Sequence, residues 1–355
     1  MMTSAPAAIS DRRLRPRLSN AASVEYALRL TADDVEAAMY PTLRCDPKLF
    51  AKNLKGRTYI VTGANSGAGL ATTSQLVRQG AHVVAACRRV AAGEEAVRPL
   101  AGAAGSVEVM ELDLGSLASV RAFAKAFVAR HSRLDGLVNN AGVMNCPEGR
   151  TADGFETQFG TNHLGHFLLT ELLLDVLKGS APSRIVCVSS VAHVPRSGKG
   201  GEIFLDDLNY QKRKYDGVEA YSQSKLANVL HALDLSRRLE GTGVTAVSVH
   251  PGWIRSNLIK HTAPTWVQNV LLKPFSGLLT MMSAEDGAQT TLHCLLDDDV
   301  PRHSGEYYSQ NSILYPDKRN RGGGWPMPSP NPHARDAELA RKLSEESRRL
   351  VGLAG

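Results

Sequence analysis

The spacing of apolar positions changes period repeatedly along the chain, and each change marks an element. Residues 57–62 form a short β-branched run that stops at Gly63, which predicts a strand. A helical segment follows to Gly80, and 81–87 predicts a second strand. A helix around 91–101 leads to a third strand at 107–112. Residues 116–131 carry helical periodicity, and 134–139 predicts a fourth strand. A long helix over about 151–178 precedes a fifth strand at 184–189. Another over about 218–240 precedes a sixth at 245–249. Strands alternating with helices of this length predict βαβ units and a parallel sheet covered on both faces. Right-handed crossovers then make a doubly wound α/β fold the expected solution. Before Gly56 the one periodic stretch is 24–39, and beyond 315 the Gly- and Pro-rich 322–332 reads as a loop before a last short helix at about 335–350. We expect one domain over 51–315, with an N-terminal extension (1–50) and a C-terminal one (316–355).

Composition changes this picture little, but charge placement narrows it. Of 355 residues, 43% are hydrophobic and 21% charged, an ordinary balance for a chain that buries a core. The net charge of +6 sits at the ends: residues 1–30 hold five arginines against Asp11 and Glu25, and 316–355 hold eight lysines and arginines against five acids. The neutral body between argues against a broad nucleic-acid-binding face. The five cysteines (Cys45, Cys87, Cys146, Cys187, Cys294) show no metal-ligand spacing and read as free thiols in a reducing compartment. His163, His166, His193 and His250 lack a Cys or Asp at metal spacing, so no metal is expected. No run of 18 apolar residues predicts a spanning helix. Residues 264–282 are apolar, although Lys273 and Pro274 interrupt them; they suit a substrate pocket, with peripheral membrane contact as the alternative. Residues 1–24, rich in Ala, Ser and Arg, suit a disordered arm or an organelle transit peptide, giving a cytoplasmic or organellar location.

The first predicted strand runs into Thr62, Gly63, Ala64, Asn65, Ser66, Gly67, Ala68 and Gly69. Gly63 permits a tight turn, Gly67 clears the backbone for a pyrophosphate, and Gly69 lets the helix pack close. The helix start adds free N–H groups and a positive dipole end. The spacing is G-x-x-x-G-x-G, so the triplet alone is weak, and its place at the first βα turn strengthens it. The second strand ends Cys87-Arg88-Arg89 without the acid that would hold a ribose 2′-hydroxyl, and guanidiniums suit a 2′-phosphate. The expected cofactor is NADP(H).

Tyr221 and Lys225 sit at i and i+4 on a predicted helix and project from one face. A phenol near pKa ~10 is a poor base at neutral pH, and a nearby ammonium is expected to lower that value. The pair could then exchange a proton with a hydroxyl or carbonyl oxygen. Ser189 and Ser190 end the fifth strand at the carboxyl edge, where a hydroxyl could hold the reacting oxygen. Asn162, inside the long helix, either faces solvent or disrupts the helix near the lysine.

Taken together, these motifs, with Asp113-Leu114, Asn139-Asn140-Ala141-Gly142 and Pro251-Gly252, resemble the short-chain dehydrogenase/reductase family over about 55–315. Within it, the stretches 153–156, 162–170, 180–186, 225–228 and 285–290 are similar to the retinol dehydrogenase-like subgroup and related NADP-dependent carbonyl reductases. The resemblance implies a single Rossmann-fold domain with a substrate lid at about 255–284. It implies Tyr221 as acid/base, Ser190 as the holder of the substrate oxygen, and Lys225 as a further contact to the nicotinamide ribose. It places Asn162 in a proton relay, Asp113 at the adenine and Asn140 near its ribose. Asn65, Ser66 and Arg88 fall around the 2′-phosphate, Gly63, Gly67, Ala68 and Gly69 in the phosphate turn, and Ile254 and Ser256 at the carboxamide. The implied reaction interconverts a carbonyl and an alcohol on a small apolar molecule, and a homodimer is common in the family.

Three departures stand out. The apolar N-terminal anchor of many membrane-bound retinol dehydrogenases is missing. The segment between Ser190 and Tyr221 is long and carries Lys212-Arg213-Lys214, and Ala68 replaces the usual isoleucine or leucine. Two alternatives stay open here: a silent NADPH-binding scaffold, and a tetrapyrrole double-bond reductase of the protochlorophyllide type.

Overall fold

The order of strands in space places the site. The computed structural model describes residues 40–196, 200–254 and 282–353. Eight strands form one sheet: β1 (Thr58–Thr62), β2 (His82–Cys87), β3 (Ser106–Glu111), β4 (Gly136–Asn139), β5 (Ser183–Val188), β6 (Val244–His250), β7 (Tyr307–Ser309) and β8 (Gly324–Met327). Their order is β3-β2-β1-β4-β5-β6-β7-β8. All neighbours pair in parallel except β8, which runs antiparallel to β7. The chain first builds outward from β1 to β3, then returns to β4 and builds the other way. The carboxyl ends of β1 and β4 therefore flank the crevice where such sheets bind ligands.

Helices cover both faces, as the near-continuous burial of β2, β4, β5 and β6 demands. On one face lie α1 (Pro47–Phe50), α2 (Gly67–Arg78), α3 (Val90–Val97) and α8 (Ala284–Leu296). On the other lie α4 (Leu117–Arg130), α6 (Gly165–Gly179), α7 (Gly217–Arg238) and α9 (Ala337–Leu350). A short α5 (Thr157–Phe159) leads into α6.

The expected doubly wound fold is observed, with differences at its edges. Two strands were not anticipated, because β7 and β8 are only three and four residues long. The stretch read as a loop holds β8, where Pro326 is tolerated because the strand lies at the sheet's edge. The helix expected from about 151 begins at Thr157: Arg150 bridges Glu156, whose carboxylate caps α5 by accepting from the N–H groups of Gln158 and Phe159. The segment 316–355 supplies β8 to the sheet and α9 to its helical layer, where Ala340, Leu343, Ser344 and Ser347 make one buried stripe.

Candidate active site

The glycine turn after β1 is built around the absence of side chains. Gly63 and Gly67 take positive φ, 66° and 54°. A Cβ at Gly69 would lie 2.5 Å from Asn140 Nδ2 and 2.6 Å from Gly63 O, so α2 can approach β1 only with glycine there. Ser66, at the N-cap of α2, makes no side-chain hydrogen bond to the helix, which leaves the first N–H groups to an anion. Arg88 and Arg89 follow β2 and are exposed. The donors and the cleared backbone fit a dinucleotide with a 2′-phosphate.

Thr62 joins this turn to the loop after β4. Its Oγ1 accepts from the N–H groups of Asn140 and Ala141, each at 2.9 Å. Asn140 Nδ2 donates to Thr62 O at 2.7 Å. Asp113, just past β3, accepts from Gly115 N through Oδ1 at 2.9 Å.

On α7, Asp216 caps the N-terminus by accepting from Val218 N and Glu219 N. One turn further on, Tyr221 and Lys225 point inward and are buried. Lys225 Nζ lies 5.6 Å from the centroid of the Tyr221 ring and donates to Val188 O at 3.1 Å. The helix is pinned to the end of β5 by Ser189 Oγ donating to Lys225 O at 2.7 Å and by Asn228 Nδ2 donating to Val188 O at 3.0 Å. Ser190, just past β5, lies close enough to the Tyr221 phenol to lower its pKa as a hydrogen-bonding neighbour. Asn162 rides on a π turn over Gly160–Leu164, an uncommon geometry that recurs at functional sites. The residue does not face solvent: Oδ1 accepts from Val143 N at 2.8 Å, and Nδ2 donates to Val143 O and Ser224 Oγ, each at 2.9 Å. A Cβ at Gly142 would lie 3.1 Å from Asn162 Oδ1 and 3.5 Å from Lys225 Nζ, and one at Gly63 would lie 3.1 Å from Ala141 Cα. The two buried side chains and the glycine turn therefore border one loop, 140–143.

Burial dominates the electrostatics. It pushes the Tyr221 phenol up to about 12, against a smaller lowering by the Ser190 hydrogen bond. It also brings Lys225 down to about 8. The expectation that the lysine lowers the tyrosine's pKa is not met in this structure. Desolvation outweighs it, and the ammonium spends a donor on Val188 O.

Ile254 lies beyond β6 and bridges Met282. Ser256, residues 1–39 and nearly all of the expected lid lie outside the described residues. Within the basic insert Arg213 is built into the fold, whereas Lys212 and Lys214 are exposed. Arg213 pairs with Asp207 at 3.1 Å and Glu219 at 2.6 Å, and its guanidinium lies 3.6 Å from the Phe204 ring centroid. Sequence reasoning missed the parts played by Thr62 and His166. The available signals were a hydroxyl on the last residue before the glycine turn and a histidine four residues after Asn162. It also missed the apolar cluster of Val191, Val194 and Tyr315 that follows Ser190.

Such a sheet, turn and buried Tyr–Lys pair define a nicotinamide-dinucleotide oxidoreductase. The model of the short chain dehydrogenase family matches residues 57–265, and the chain belongs to that family. It is similar to retinol dehydrogenase 13 of Homo sapiens, at 45% identity over 304 residues covering 84% of this chain and 86% of the relative. Retinol dehydrogenase 12 of Homo sapiens is 44% identical over 302 residues, covering 84% and 88%. Among solved structures, an uncharacterized protein from Mycobacterium paratuberculosis superposes with a TM-score of 0.66 at 39% identity, covering 85% of this chain and 96% of that one. This chain is an NAD(P)(H)-linked oxidoreductase of the carbonyl–alcohol type. Among the described residues, no helix is long and apolar enough to cross a membrane.

Proposed function

We propose that the chain reduces the carbonyl of an elongated apolar aldehyde or ketone, with Tyr221 as the proton donor. The observation that carries this is the meeting of Tyr221, Ser190, Lys225 and Asn162 around the loop next to the glycine turn. The retinoid-like substrate class comes from the names of the relatives. NADPH, when bound, supplies the hydride. Gly63, Asn65, Ser66, Gly67, Ala68 and Gly69 would hold its phosphates. Arg88 would pair with the 2′-phosphate, Asp113 and Asn140 would face the adenosine, and Ile254 and Ser256 would face the carboxamide.

Reduction requires a protonated phenol, and burial of Tyr221 keeps it so at neutral pH. As charge grows on the carbonyl oxygen, the Ser190 hydroxyl donates to it and Tyr221 transfers its proton. The phenolate left behind lies beside Lys225. Among the described residues only one of that ammonium's three donors is engaged, on Val188 O, so the others can donate to a ribose hydroxyl oxygen or to the phenolate. Asn162 holds the loop and α7 together through Val143 and Ser224.

The test is a carbonyl panel of retinal-like aldehydes, steroid-like ketones and short aldehydes, assayed with NADPH and NADH separately. Turnover should favour NADPH and long apolar carbonyls, and Tyr221→Phe should lose about 10²–10⁴-fold in kcat. Undiminished turnover in Tyr221→Phe would overturn the assignment.

A further inference from the structure

His166 occupies the first turn of α6, four residues after Asn162, with its ring fully enclosed. Its Nδ1 lies 2.9 Å from Asn162 O. A carbonyl oxygen can only accept, so Nδ1 carries the hydrogen. Burial holds the imidazole's pKa down at about 4, so the ring is neutral near pH 7 and Nε2 keeps a lone pair. That lone pair lies 2.9 Å from Thr62 Oγ1.

The hydrogen-bonding capacity of Thr62 fixes the direction of this contact. Its oxygen already accepts from Asn140 N and Ala141 N. Its single proton has two acceptors in reach, His166 Nε2 at 2.9 Å and Val138 O at 3.3 Å, and the imidazole is the nearer. The chain of donors thus runs from the Asn140 and Ala141 amides to Thr62, from Thr62 to His166, and from His166 to the Asn162 carbonyl. One end is the loop against the glycine turn, and the other is the π turn that carries Asn162. We infer that His166 is a positioning residue that sets Asn162 and the cofactor-side loop in register with each other. The inference rests on the roles proposed above for Asn162 and the glycine turn.

Two substitutions separate the halves of this link. In His166→Asn the amide Nδ2 falls where Nδ1 was and can still donate to Asn162 O. In His166→Gln the carbonyl Oε1 reaches toward the position of Nε2 and can still accept from Thr62. His166→Leu keeps neither. The measurements are kcat with a long-chain aldehyde, the NADPH dissociation constant by fluorescence titration, and Tm for each variant. His166→Leu should lose about 10²-fold in kcat, the scale expected when a reacting group is displaced by about 1 Å. His166→Asn should recover kcat to within about fivefold of the parent while binding NADPH more weakly. His166→Gln should keep the parent's NADPH affinity with a kcat near that of the leucine variant. Equal kcat losses in all three variants that follow Tm, or no loss in any, would overturn the inference. If the leucine protein does not fold, the contrast between asparagine and glutamine still decides. Tyr221→Phe and Asn162→Ala run alongside: retained activity there would sink the site assignment itself, whereas their inactivity with fully active His166 variants would sink only the His166 link.

Discussion

A single methyl group at position 69 would test how tightly the dinucleotide turn is built. The added Cβ of Gly69→Ala meets Asn140 Nδ2 and Gly63 O inside contact distance, and neither is the loose end of a flexible chain. Asn140 Nδ2 is held by Thr62 O. The strain of such overpacking is about 1–3 kcal/mol, so NADPH affinity should fall roughly tenfold or more while the fold survives. Fluorescence titration with NADPH reads this directly, and unchanged affinity would mean the turn can relax away from Asn140. At this scale the sequence was informative where chemistry depends on local spacing. Tyr221 and Lys225 could be picked out because i and i+4 share a helix face, and Gly69 because of its place in the turn. The Thr62–His166 contact could not be read, since it spans 104 residues and depends on which ring nitrogen holds the hydrogen. The pKa of Tyr221 was misjudged for a related reason. Spacing reveals a neighbouring charge but not how completely both groups lose water.

Among the elements, α9 offers the clearest test of what the chain's last segment contributes. Its buried stripe lies on α7, the helix that carries Tyr221, and Ser347 Oγ lies 2.9 Å from His163 Nε2 on the π turn. Leu343 is 1% exposed, in the same core as Phe167 and Leu230. Leu343→Ala should cost about 2–5 kcal/mol in urea unfolding, as for other large-to-small changes in a core. Since Leu343 touches no reacting group, kcat per folded molecule should stay close to the parent's. A loss of stability below about 1 kcal/mol would mean that α9 is only loosely seated. The helix itself was legible from its apolar spacing. Its docking partner was not, because an amphipathic stripe shows that a face is covered without showing by what. The same limit hid β7 and β8, which are too short for alternation to show and, in β8, interrupted by glycine and proline.

Across the whole molecule, the buried histidines make an acid-sensitive load. Burial holds His166 and His193 down at about 4, and His231 and His250 at about 3. His163 is also lowered well below its usual range. Each is neutral in the fold, whereas in the unfolded chain each takes a proton near the ordinary value of about 6.5. The unfolded state therefore binds more protons as pH falls. The stabilisation is complete above pH 6.5 and is lost progressively toward the folded values of about 3 to 4. Glu156 runs the other way, since burial raises its carboxyl above the usual value and favours the fold on acidification. One carboxyl acts here against several imidazoles, so the fall in stability below pH 6.5 reports mainly the histidines. Each fully titrating histidine adds a slope of up to about 1.4 kcal/mol per pH unit, so several together should outweigh any single carboxyl. The melting temperature should change only slightly from pH 8 to 7, where Lys225 titrates in the fold, and fall steeply below pH 6. His231→Phe removes one of the lowest of these groups from a site already ringed by Phe167 and His163, and should flatten that fall. A melting curve level to pH 5 in the parent protein would show that these imidazoles reach water and protonate within the folded state.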